Sequence, residues 1–325
     1  MATTTGRVLL TGATGFIGGR LLPVLDAAGH AVRCLVRPGE KLVLRRPMTR
    51  KPEIVSADLL DPDALPAALA GTSTAFYLVH SMGGRRPQDA AAFADRDRRA
   101  ATNFLAAAEA AGVARIVYLG GLGEDREALS EHLRSRHEVA RILGSSPRVA
   151  LTTLRAAVII GAGGASFEII RHLVERLPVM LVPRWIDTRC QPIAVEDVTS
   201  YLAGCLGEER TAGLSLDIGG PDILTYRTLM LIYARVRGLR RIVVPVPMMS
   251  PHLSAYWIDL ITPVPAGIVM PLVEGLRNEV ICRENRIREL LPIRLTPMKE
   301  AICSSLADEQ GGPGQLPSRQ ACFLD

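Results

Sequence analysis

Lysine is scarce in this sequence. Lys41, Lys51 and Lys299 are the only three in 325 residues, so arginine supplies almost all of the positive charge. Between Lys51 and Lys299, any motif that needs a lysine is excluded. Cysteine is thin as well. Cys34, Cys190, Cys205, Cys282, Cys303 and Cys322 are scattered, with no C-x-x-C pair and no Cys/His cluster at zinc spacing. No metal site is therefore predicted, and the cysteines are expected as free thiols in a reducing compartment. The N-terminal MATTTGR lacks the basic and apolar regions of a signal peptide, which points to the cytoplasm. There is no internal repeat and no disorder-type composition across the chain. The net charge of +5 and isoelectric point near 9.0 arise from dispersed residues, so a nucleic-acid partner is not expected.

What is present begins at residue 7. RVLLTGATGFIG reads as a short buried strand (7–11), a tight turn and the opening of a helix near Phe16. Gly12 permits the sharp exit from the strand. Gly15 lets a diphosphate approach the backbone, and Gly18 lets the helix lie close to the strand. The helix N-terminus then offers N–H groups and a positive dipole to phosphate. Leu21, Leu22 and Leu25 form the inner face of that helix, and Gly29 ends it. A second apolar strand over 31–36 ends in Arg37. At this position an acidic residue favours a free ribose 2′-hydroxyl, hence NAD, whereas an arginine favours a 2′-phosphate, hence NADP. Residues 38–52 form a basic loop.

Further strands are predicted over 53–57, 73–79, 114–119, 148–154 and 214–218, alternating with helices over 62–69, 88–111, 130–143, 163–177 and 193–206. Thr225 is expected to cap a helix running through Val236. This alternation implies a parallel sheet covered on both faces, a doubly wound Rossmann α/β fold. Ligands bind outside the carboxyl ends of such strands, which selects the ends at Asp58-Leu59, Val79-His80-Ser81, Gly120-Gly121 and Ala156-Ala157-Val158. The expected organisation is a dinucleotide-binding core over 1–160, then remaining sheet elements and a small C-terminal substrate or partner lobe over 161–306 in the same folding unit, and a flexible tail over 307–325.

TGATGFIG, Arg37, ADLLD (57–61), YLVHSM (77–82), RIVYLGGLG (115–123), HLRSRHEVA (132–140), TTLRAAVIIG (152–161), PIAVEDV (192–198) and LDIGGPDILTYRTL (216–229) together resemble the short-chain dehydrogenase/reductase superfamily. The likeness is to its extended and atypical branches, the NmrA-like and NAD-dependent epimerase/dehydratase-like NAD(P)-binding proteins. The resemblance implies a bound dinucleotide, NADP(H) preferred and NAD(H) as the other choice. Gly12, Thr14, Gly15, Phe16, Ile17 and Gly18 would hold the pyrophosphate and Arg37 the 2′-phosphate. Asp58 and Leu59 would lie at the adenine, and Val79, His80 and Ser81 along the ribose and nicotinamide. Ala156 to Val158 would meet the nicotinamide amide.

The family's Y-x-x-x-K motif is missing. His132 aligns with its tyrosine and Arg136 with its lysine, and the lysine census rules the motif out under any alignment. His132, Arg136 and His80 are the candidate catalytic residues. Imidazole titrates near neutrality, and Arg136 is also placed to contact the ribose. Two function classes follow: an NADP(H)-dependent reductase or isomerase with unorthodox acid/base groups, or a non-catalytic NADP(H)-binding redox sensor or structural subunit.

The apolar stretch 242–273 is long enough to span a bilayer, but six prolines and Asp259 interrupt it. A substrate cap or oligomer surface is the preferred expectation, with peripheral membrane contact as the sharper alternative. Tyr256, Trp257 and Trp185 are the candidate substrate contacts. They imply a small apolar substrate, with a protein partner as the other choice.

Overall fold

The computed structural model describes residues 6–80, 89–123, 131–246, 261–264, 269, 272–273, 275 and 278–310. The N-terminal half alternates strand and helix: β1 (Arg7–Thr11), α1 (Gly18–Ala27), β2 (Val32–Val36), β3 (Glu53–Ser56), α2 (Leu65–Leu69), β4 (Thr72–Tyr77), α3 (Asp89–Ala110), β5 (Arg115–Gly121), α4 (Glu131–Leu143) and β6 (Ala150–Ala156). The remainder comprises β7 (Ile159–Ile160), α5 (Ala165–Arg176), β8 (Val179–Pro183), a 3₁₀ turn (Arg184–Asp187), β9 (Arg189–Cys190), β10 (Ile193–Ala194) and α6 (Val195–Gly207). After these come β11 (Ser215–Ile218), β12 (Leu224–Thr225), α7 (Tyr226–Val236), β13 (Ile242–Val246), α8 (Arg286–Leu290) and α9 (Met298–Gln310).

Seven strands form one parallel sheet in the order β11-β6-β5-β4-β1-β2-β3. That order is the doubly wound Rossmann arrangement, with its topological switch between β1 and β4. Near-continuous apolar strands are what a sheet covered on both faces requires. Val8, Leu10, Phe76, Val117 and Leu154 lie in the core shared with α1 and α6, whereas Leu9, Ala75, Tyr77, Ile116 and Tyr118 lie in the core shared with α2, α3 and α4. Leu21, Leu22 and Leu25 are all buried on the inner face of α1, each contributing about 1.5–3 kcal/mol. Pro23 is accommodated within the helix.

A third core gathers Phe167, Val174, Met180, Tyr226, Tyr233 and Ile302 from the second half. Polar clamps join it to the sheet. Asp217 on β11 pairs with Arg155 at 2.6 Å and accepts from the Arg283 backbone N–H at 3.0 Å. Gln191 donates to the Gly220 carbonyl at 2.8 Å and accepts from the Cys282 N–H at 3.0 Å. Thr225 caps α7 by accepting from the Thr228 N–H at 3.1 Å, as its sequence position predicts.

Three differences from the sequence reading stand out. Residues 178–190 carry strands that local periodicity did not reveal, because β8 pairs in parallel with β13, far along the chain. Helix α9 runs to Gln310, so the stretch expected as tail from 307 begins helical; Ala301, Ile302 and Ser305 are its buried face. Cys34, Cys190, Cys205 and Cys282 are free thiols as expected, but Cys303 is disulfide-bonded, which corrects the expectation of a free thiol there. Among the described residues, no helix is long and apolar enough to cross a membrane, and no His/Cys/Asp/Glu group could hold a metal ion.

Candidate functional site: a glycine-rich groove opening into an apolar cavity

The switch point is clamped by one buried side chain. The Thr11 hydroxyl donates to the Phe76 carbonyl at 2.9 Å and accepts from the Leu78 N–H at 3.1 Å, locking the ends of β1 and β4 together. The chain then turns at Gly12, where φ is +69° and an added Cβ would lie 2.7 Å from the Leu78 carbonyl oxygen. At Gly18 the obstruction is worse, 2.2 Å from the Gly12 carbonyl oxygen. Both glycines are therefore required by backbone contacts. Helix α1 opens after Ile17 with no side-chain cap, so its N-terminal dipole faces the turn unsatisfied by protein side chains. Phe16 is held by Arg20, whose guanidinium stacks 4.6 Å from the ring centroid and donates to the carbonyls of Phe16 and Ala162. An uncapped helix start behind a glycine cradle that side chains would fill suits a diphosphate.

Beside the glycine turn, Arg37 follows β2 and is mostly exposed; its guanidinium pairs with Glu40. Asp58 follows β3, and its carboxylate accepts from the Leu60 N–H at 2.9 Å, shaping the turn. The Leu59 carbonyl accepts from the Asn103 amide at 3.0 Å. From the basic loop, Arg45 reaches Gly19 and Gly163, close to the start of α1.

The groove continues into one cavity of about 680 Å³. Gly12, Gly15, Phe16, Ile17, Gly18, His80, Arg136, Ala156, Ala157, Val158 and Trp185 all line it, so the structure brings these sequence-predicted residues together. Its far wall is apolar: Leu122, Leu133, Ile169, Ile170, Leu173, Met180, Ile186, Tyr226 and Met230. Thr14, Arg37, Asp58, Leu59 and Val79 are not among the lining residues. The side chain of His132, and all of Ser81, Tyr256 and Trp257, lie outside the described residues, although the backbone of His132 belongs to α4.

His80 Nδ1 lies 3.1 Å from Asp97 Oδ2, and the Ser135 hydroxyl donates to the same oxygen at 3.2 Å. Burial pushes the His80 imidazolium down, and the Arg136 charge adds to that. The Asp97 hydrogen bond and charge oppose the shift, leaving the pKa at about 4. His80 is accordingly neutral at pH 7. The carboxylate selects the tautomer with its proton on Nδ1, leaving Nε2 as the acceptor. Arg136 donates to the Leu119 carbonyl at 3.1 Å, and the Arg136 carbonyl accepts from the Tyr118 hydroxyl at 3.2 Å. Gly121 leaves room for this arginine: a Cβ there would sit 2.7 Å from Leu133 and 3.4 Å from Arg136 Cδ. Asp97, Ser135 and the apolar wall were not identified from sequence. Asp97 lies on α3 within an Arg-rich run that reads as a solvated face, and only the packing of α3 against α4 and the end of β4 exposes its role.

Residues 12–171 match the family described as NAD(P)H-binding. The chloroplastic divinyl chlorophyllide a 8-vinyl-reductase of Oryza sativa subsp. indica is 28% identical over 265 residues, 77% of this chain and 63% of that protein. The chain thus spans less than two thirds of that relative's length. The ceramide reductase of Caulobacter vibrioides is 27% identical over 242 residues, 74% of each. The triphenylmethane reductase of Citrobacter sp., solved with NADP(H), superimposes with a TM-score of 0.71 at 20% identity, covering 92% of this chain and 99% of that one. At that identity the likeness is one of fold.

Proposed function

We propose that this chain, whose residues 12–171 match the NAD(P)H-binding family and whose fold is that of the reductases above, is an NADP(H)-dependent reductase of a bulky apolar substrate. One observation carries this reading: the glycine cradle, His80, Arg136 and a large apolar wall share a single cavity. A volume of about 680 Å³ is within the range of small-molecule sites. The vinyl, ceramide and triphenylmethane reductases named above accord with an apolar substrate, and the structure solved with NADP(H) accords with that cofactor. Arg37 is the residue on which the preference for NADP(H) over NAD(H) rests.

A bound nicotinamide supplies hydride to an electron-poor carbon. The chain's residues provide position and proton transfer. Gly12, Gly15 and Gly18 with the start of α1 hold the diphosphate, and Ala156 to Val158 border the nicotinamide end. Arg136, anchored on Leu119, presents a fixed positive charge to a substrate oxygen or a ribose hydroxyl. The substrate anion left by hydride addition needs one proton: His80 takes it from solvent water at Nε2 and passes it to the substrate, and Asp97 balances the transient imidazolium.

The experiment is NADPH oxidation with a panel of apolar enones, ketones and vinyl-substituted rings. Substrate-dependent turnover that falls at least tenfold in His80→Ala and Arg136→Ala supports the reading. The second reading, a non-catalytic NADP(H) sensor or subunit, is favoured by the neutral His80 and by arginine standing in place of the family lysine. NADPH binding with no turnover across the panel would select it.

A further inference from the structure

Arg37 and Thr14 both hold the carboxylate of Glu40. β2 ends in Arg37-Pro38-Gly39-Glu40, a tight turn in which the Glu40 N–H donates to the Arg37 carbonyl at 3.0 Å. Pro38 and Gly39, the latter at φ +84°, occupy the central positions of a type II turn, where proline and glycine are each favoured. The turn folds Glu40 back beneath Arg37. One carboxylate oxygen of Glu40 pairs with the Arg37 guanidinium. The other accepts from the Thr14 hydroxyl at 3.2 Å. Thr14 belongs to the glycine-rich turn and Arg37 to the end of β2, so one carboxylate bridges the two walls of the groove. A cation from one wall and a hydroxyl from the other converge on one point, and that geometry suits a phosphate monoester as well as a carboxylate.

We infer that the Glu40 carboxylate occupies the subsite of the ribose 2′-phosphate, so that NADP(H) must displace it whereas NAD(H) leaves it in place. The inference rests on the cofactor reading above and concerns how that site discriminates. With the carboxylate displaced, Arg37 and Thr14 are released to the 2′-phosphate. With a free 2′-hydroxyl instead, Glu40 remains and accepts its hydrogen bond. One site thus serves both nucleotides, and Glu40 weakens binding of the phosphorylated one by competition and like-charge repulsion. Both partners are partly exposed, with 68% of the Arg37 side chain and 34% of the Glu40 side chain accessible, so screening limits the effect.

The test is calorimetric titration of wild type and Glu40→Gln with NADPH and NADH, repeated with 2′,5′-ADP and 5′-AMP to isolate the phosphate. The inference expects NADPH and 2′,5′-ADP to bind about fivefold more tightly to the variant, equivalent to about 1 kcal/mol. NADH and 5′-AMP should bind equally or more weakly. An unchanged NADPH-to-NADH ratio, or weaker NADPH binding in Glu40→Gln, would overturn the inference while leaving the cofactor reading intact. A wild type that binds neither nucleotide would overturn the cofactor reading and the inference together. The pair lies at the surface, so the variant should melt within a degree or two of wild type.

Discussion

Protonation of His80 should cost the protein stability in mildly acid solution. The imidazole is buried against Asp97 and Arg136, and its pKa falls from 6.5 to about 4 on folding. Between those values the unfolded chain binds a proton that the folded chain refuses, so stability rises with pH across this window and is lost as pH falls. For one group with these two pKa values, linkage gives a loss of about 2 kcal/mol between pH 7 and pH 5, approaching about 3 kcal/mol at pH 4. Against a total of about 5–15 kcal/mol, that loss is readily measured. The assay is urea unfolding of wild type and His80→Gln at pH 7, 6 and 5. The variant cannot titrate at this position, so the decline should be shallower by about 2 kcal/mol over that range. Comparing slopes removes any fixed cost of placing an amide there. Equal slopes in the two proteins would refute the claim that His80 is neutral and desolvated at the site.

Three other outcomes follow from the geometry. Gly18→Ala places a Cβ 2.2 Å from the Gly12 carbonyl oxygen, a backbone atom that cannot move away, and should cost about 2–3 kcal/mol in chemical denaturation and weaken NADPH binding. Arg115→Ala removes a buried guanidinium that donates to Thr152 Oγ1 at 3.0 Å, to Thr211 Oγ1 and to the Cys205 carbonyl; it should cost about 2–4 kcal/mol in denaturant yet leave nucleotide affinity unchanged, because Arg115 lies at the opposite end of β5 from the site. Trp185→Ala should raise KM for an apolar substrate more than it lowers kcat, because Trp185 lines the cavity wall and packs against Val264, Val269 and Val273.

The legible parts of this protein are those set by local chemistry. The glycine turn was readable because Gly12 takes a positive φ directly after β1 and Gly15 and Gly18 pack on the Gly12 carbonyl a few residues away, and the parallel sheet was readable from apolar strands alternating with amphipathic helices. The cap at Thr225 and the inner face of α1 were readable for the same reason. What the sequence hid depends on distant pairing. β8 and β13 meet although every element from β9 to α7 lies between them in the chain. Asp97 reaches His80 only through helix packing. The place of Arg37 at the end of β2 was legible, but its partner Glu40 emerges only once the turn through Pro38 and Gly39 is closed. The scattered cysteines, without a paired motif, gave no sign of the bond at Cys303.

A dinucleotide held in the groove from Thr11 to Gly18, with Arg37 on its 2′-phosphate, underlies the proposed function. Calorimetric titration of wild type and Arg37→Ala with NADPH and NADH tests it most directly. Wild type should prefer NADPH, and the variant should lose NADPH affinity about tenfold or more while keeping its affinity for NADH. No binding of either nucleotide to wild type, or an Arg37→Ala variant with unchanged preference, would contradict it.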